Sequence, residues 1–88
     1  MKVKIVTAAM AHNPGEGYRG SVIFEVEGHK HSYEIMLFSK NGNMWDYTLN
    51  FGKDPGIDEE IDVVETALEE DDELFDWLVD TAMESMSS

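Results

Sequence analysis

Glycines at positions 15, 17 and 20 write G-x-G-x-x-G across "GEGYRG", a spacing with which backbone N–H groups can cradle phosphate. His29 and His31 flank Lys30; on an extended backbone both rings would aim the same way and, with a carboxylate, chelate a transition metal. The same histidines fall where a turn is expected, and no third ligand has a defined spacing. Ser21, Ser32 and Ser39 lie in or beside strand-like stretches without the G-x-S-x-G elbow of an activated serine. The nineteen carboxylates single out no acid–base pair, and the acidic run lacks the alternating ligands and central glycine of a calcium loop. There is no cysteine, hence neither a disulfide nor a thiolate metal site. These residues predict no catalytic constellation, no metal and no cofactor: a non-enzymatic protein.

The elements that position them divide the chain in two within one expected domain, residues 1–88: a sheet half, 1–53, and an acidic helical half, 54–88. Period-two alternation marks four strands: "VKIVT" from Val3, "SVIFEVE" from Ser21, "HSYEIMLF" from His31 and "MWDYTLNF" from Met44. The inward sets are Val3 and Ile5; Val22, Phe24 and Val26; Tyr33, Ile35 and Leu37; Trp45, Tyr47, Leu49 and Phe51. A two-residue Asn41-Gly42 hairpin would oppose Leu37 to Asp46 and mix faces. A three-residue loop of Lys40, Asn41 and Gly42, with Gly42 left-handed, instead pairs Leu37 with Trp45, Ile35 with Tyr47 and Tyr33 with Leu49. A turn near "GHK" pairs Val26 with Tyr33 and Phe24 with Ile35. Strands two to four are therefore predicted to form an antiparallel meander, with the first strand's neighbour open. On the opposite face Ile23, Met36, Phe38 and Met44 are candidates for self-association, unless they are scattered or covered by residues 9–20.

From Gly56 onward the chain has no further Gly or Pro. Pro55 with Asp54 or Asp58 provides a helix start. Ile57, Ile61, Val64, Leu68, Phe75, Leu78 and Ala82 recur at helical spacing on one stripe, which Glu60 and Asp71 interrupt. One helix of about 30 residues would run about 45 Å, too long for a small sheet to cover. Two helices are preferred to one, with the break near 70–72 and Asp71 or Asp72 capping the second. The predicted fold class is α+β: a four-stranded, largely antiparallel sheet with one long or two shorter acidic C-terminal helices packed on one face.

With the strands placed, the glycine motif can be judged. A dinucleotide-binding reading needs a helix after the glycines, whereas "SVIFEVE" is strand. Val22 extends the match to G-x-G-x-x-G-x-V, and over these eight residues the chain resembles the Gly-rich loop of protein kinases, which implies a cover for nucleotide phosphates. No V-A-I-K, H-R-D-L-x-x-x-N or D-F-G follows, 88 residues cannot hold the second lobe, and Glu16 opposes phosphate. Turn formation by "NPG" and "GEG" is the preferred reading.

Charge is the most informative feature. Net charge is −13, yet residues 1–53 carry six basic and five acidic side chains, while residues 54–88 carry fourteen acidic ones and no Lys or Arg. A 42 % hydrophobic fraction is too rich for a disordered chain. No apolar run approaches the roughly 18 residues of a membrane span, and the alternation of Lys2 and Lys4 with Val3 and Ile5 reads as strand rather than signal peptide. A cytoplasmic location without membrane contact is expected. Solvated helices ordinarily mix charges, because like pairs three or four residues apart each cost roughly 0.2–0.5 kcal/mol; here such pairs run from Asp58 to Asp80 without a local lysine. Solubility alone is one account. The other is an anionic docking face for a basic protein, formed by Asp58, Asp62, Glu65, Glu69, Asp72, Glu73, Asp76, Asp80 and Glu84, with Trp77 as an aromatic anchor able to stack on arginine. On a single helical rod the carboxylates would recur every ~3.2 Å, near the ~3.4 Å charge spacing of one DNA strand. In charge density residues 54–84 thus resemble the DNA-mimic proteins, a functional class of inhibitors, which implies a basic, nucleic-acid-binding partner; direct nucleic-acid binding is not expected, because the basic stripe it needs is missing. The leading expectation is an acidic inhibitor or adaptor; the alternative is a structural or self-assembling module that dimerises through its outer sheet face.

Overall fold

Apolar residues at every second position make the first half a sheet. The computed structural model describes residues 1–53 and 55–87. It shows β1 (Val3–Asn13), β2 (Gly17–Val26), β3 (Tyr33–Ser39) and β4 (Asp46–Phe51) as one antiparallel meander in the order β1-β2-β3-β4. Val22, Phe24, Val26, Tyr33, Ile35 and Leu37 face inward and are buried, each large one worth roughly 1.5–3 kcal/mol in transfer from water. Val3, Ile5, Trp45, Tyr47, Leu49 and Phe51 complete that face, partly buried against the core.

Two expectations about the strands need correction. The first strand is longer than "VKIVT": it runs to Asn13 and pairs with β2, the neighbour left open above, with a bulge between Ile5 and Thr7. Both later hairpins keep the predicted faces but slip by two residues. Phe24 opposes Tyr33 and Val22 opposes Ile35, while Leu37 opposes Tyr47, Ile35 opposes Leu49 and Tyr33 opposes Phe51. An even slip preserves the inward set, so side-chain alternation cannot detect it. The β3–β4 loop sets the observed register because its own polar groups hold it open. Asn41 Oδ1 accepts from the Asn43 and Met44 N–H groups at 2.9 and 3.1 Å, and Ser39 Oγ accepts from the Gly42 N–H at 2.8 Å. The Trp45 indole N–H donates to the Gly42 carbonyl at 3.2 Å. Gly42 is left-handed as expected, at φ +80°, but inside a six-residue connection, residues 40–45.

The C-terminal half forms two helices, α1 (Asp58–Glu70) and α2 (Asp72–Glu84), followed by a 3₁₀ turn, Ser85–Ser87. The break falls at Asp71, whose extended backbone and side-chain bond to the Leu74 N–H at 3.2 Å cap α2. This explains its intrusion into the apolar stripe. α1 starts at Asp58, one of the two expected start residues, and Ile57 occupies the capping position without a side-chain hydrogen bond. The suggested role of Asp54 lies outside the described residues. Ile57 leaves the stripe, 41 % exposed, and Val79 joins it, buried with Val64, Leu68, Leu78 and Ala82. α2 packs on β1 and β2, α1 on β4, and the helices touch each other. Sheet and helices share one core, with the Tyr47 and Phe75 rings 5.4 Å apart across the interface.

Candidate functional site

On α1, Asp58, Asp62, Glu65 and Glu69 are spaced four, three and four residues apart, so they share one stripe, and all are exposed. On α2, Asp72, Glu73, Asp76, Asp80 and Glu84 are exposed, while Leu78, Val79 and Ala82 enter the core. Trp77 lies among these carboxylates and is 42 % exposed, an uncommon position for a large aromatic side chain. Among the described residues the one ion pair is Lys2 Nζ to Glu27 Oε2, 3.9 Å, on the sheet; none joins a helical carboxylate to a lysine or arginine of the same chain. The break at Asp71 replaces the single rod of about 45 Å by two helices of about 20 Å each, and the longest dimension of the molecule is 38 Å. The acidic ladder is therefore two adjoining segments rather than one line of DNA-like spacing.

Glu60, the other intruder in the stripe, is half-buried, and its Oε1 is buried without a hydrogen-bond partner among the described residues. Tyr33 is fully buried, and its hydroxyl is 2.7 Å from His29 Nδ1. Burial first, then the Glu60 charge, raises the Tyr33 pKa above its ordinary value. Burial, then Glu69 and Glu65, raises that of Tyr47. His29 is thus engaged with a tyrosine, and among the described residues no three His, Cys, Asp or Glu side chains gather where a metal could sit.

The glycine motif forms the tip and rising limb of the β1–β2 hairpin. The Glu16 N–H donates to the Asn13 carbonyl at 3.0 Å, and the Gly15 N–H donates to Asn13 Oδ1 at 3.0 Å. Gly17 has φ +96°, and a Cβ there would collide with the Ser39 carbonyl and the Lys40 backbone. At Gly20 the Met10 side chain and the Ala9 carbonyl occupy the space that a Cβ would take. Gly17 thus permits close packing of the hairpin on the end of β3, and Gly20 permits close packing against β1. The strand β2, not a helix, follows the tip.

Where the hairpin tip meets the β3–β4 loop there is an open cavity of about 700 Å³, lined by His12, Arg19, Phe38 and Lys40, and also by Glu16 and Asp46. Two cations and two anions give it no clear preference for a phosphate. Periodicity alone passes over Arg19 and Lys40, because only the register brings the two loops together. The candidate self-association residues are partly assembled. Met36 and Phe38 are half-buried neighbours on the face away from the helices, with the Arg19 guanidinium 5.5 Å from the Phe38 ring centre. Ile23 lies opposite Glu34, and Met44 stands in the loop, 79 % exposed. Residues 9–13 and 17–20 belong to β1 and β2, and of that segment the Arg19 side chain reaches over Phe38.

No helix among the described residues is long and apolar enough to cross a membrane. No protein-family model matches the chain, and neither the curated proteins nor the solved structures contain a match.

Proposed function

We propose that the chain is a non-enzymatic acidic inhibitor or adaptor that docks α1 and α2 onto a basic protein surface. The observation that carries this reading is the row of exposed carboxylates on both helices with no basic side chain after Lys53 and, among the described residues, no ion pair to the sheet's own lysines. Such a field speeds encounter with a cationic partner and suppresses acidic competitors. Trp77 is the anchor, its ring face offered to a partner arginine among carboxylates that hold the guanidinium. The finer reading, a partner that otherwise holds nucleic acid, rests on charge density alone.

The test is capture by the tagged chain at about 0.1 M and about 0.5 M salt, where the screening length falls severalfold. Retention is expected to drop with salt, with Trp77→Ala and with Glu69→Lys. Glu69→Lys also places lysine four residues after Glu65, which stabilises α1 by about 0.2–0.5 kcal/mol, so weaker capture by a more stable protein separates docking from folding. Salt-independent retention rejects the reading. Displacement of the captured partner by added duplex DNA supports the nucleic-acid-binding partner, and failure of displacement rejects that refinement.

A further inference from the structure

The meander leaves two edges, β1 and β4. β4 is six residues long and begins at the charged Asp46. β1 is eleven residues long, and its residues 5–13 include no Lys, Arg, Asp or Glu. Natural sheets blunt long edges with charges, prolines or bulges. β1 has two such devices, both near its start: the exposed Lys4 and the bulge between Ile5 and Thr7 with Val6 55 % exposed. They guard the end beside Lys2 and leave residues 7–13 open, with alternate backbone N–H and C=O groups directed away from β2.

We propose that this open edge pairs antiparallel with the same edge of a second copy, about a two-fold axis near Met10, making one continuous sheet from two meanders. That axis sets Thr7 opposite Asn13, Ala8 opposite His12 and Ala9 opposite Ala11. Thr7, Ala9, Ala11, His12 and Asn13 are exposed in the single chain. These side chains are small or uncharged, so the seam contains no like-charge pair although each chain carries −13. A second copy fits better than a strand from a basic protein, because residues 5–13 offer no carboxylate to a lysine or arginine. α2 and the 3₁₀ turn pack on the β1 side of the sheet, so pairing brings the acidic helices of the two copies toward each other. Salt screens that repulsion, and the dimer strengthens as salt rises, the opposite sign to capture of a basic partner.

Sedimentation equilibrium of the full chain at about 0.1 M and about 0.5 M salt reads this directly. The expected result is a rise from one chain's mass to two with concentration, and a dissociation constant that falls as salt rises. Because the two-fold repeats every substitution, Ala9→Lys is expected to raise that constant about tenfold, while Thr48→Lys on β4 leaves it unchanged. Backbone amides of residues 7–13 should gain hydrogen-exchange protection with chain concentration, a readout on the unaltered chain that decides the matter if Ala9→Lys fails to fold. A monomer at every concentration and salt overturns the proposal. So does a dimer that ignores Ala9→Lys but is lost on Phe38→Glu, or one that forms without added protection in β1.

Discussion

Gly17 carries a motif-like spacing for a mechanical reason. Its backbone is left-handed, and the place a Cβ would take is filled by the Ser39 carbonyl and the Lys40 backbone. Alanine there meets both an unfavourable φ and a collision, so Gly17→Ala is expected to lose more than about 1 kcal/mol of stability. Gly15→Ala, whose new Cβ would meet Asn13 Oδ1 at an ordinary 3.6 Å, serves as the mild control. Urea unfolding of the two variants measures the difference, and equal losses would refute the packing role. Tyr33 and Tyr47 have a pH consequence. Both hydroxyls hold their protons more tightly when folded than at the ordinary value of 10.0, chiefly through burial. The unfolded chain therefore releases these protons first, and the stability they confer is complete below about pH 10 and is lost as pH climbs through the raised folded values. Denaturant midpoints followed from neutral to alkaline pH should fall beyond that point, and Tyr33→Phe with Tyr47→Phe should flatten the fall.

At the scale of elements, the helical half depends on one side chain to divide it. Asp71 satisfies the Leu74 N–H at the start of α2, and Asp71→Ala removes that acceptor at a cost of about 1 kcal/mol. Urea unfolding checks this; a more stable variant would mean that the helices fuse when the cap is removed. The break was legible because five acidic residues, 69–73, repel along a continuous helix while Asp71 suits a cap. Strand register was not legible. Asn41-Gly42 announces a turn, but its width is set by hydrogen bonds accepted by Ser39 Oγ and Asn41 Oδ1 and one donated by the Trp45 indole, which alternation does not encode. The extension of β1 past Thr7 was hidden as well, because "AAMAHN" alternates weakly and depends on pairing with β2 for its strand form.

For the molecule as a whole, a charge of −13 with one ion pair among the described residues means that folding compresses like charges. Added salt is expected to raise the melting temperature between about 0.05 M and 0.5 M, by about 4–8 °C for each kcal/mol of repulsion relieved. Thermal melts followed by circular dichroism at dilute chain concentration, where the monomer dominates, test this. A melting temperature that is flat or falls with salt would show that the carboxylates are compensated within the fold. The acidic side chains of the candidate docking face were readable individually, but not their division between two adjoining helices.

The amino-acid sequence by itself determined most of the residues that face the core, Ile57 and Val79 excepted, where helices replace strands and which half bears the charge. These follow from periods of two and 3.6 residues and from composition, and both are local properties. Only the tertiary structure decided the register of both hairpins, the partner of β1, the open edge that β1 presents and the burial of Glu60 Oε1. Those depend on loop hydrogen bonds and on contacts between residues far apart in the chain, which a two-residue slip alters without disturbing the local pattern.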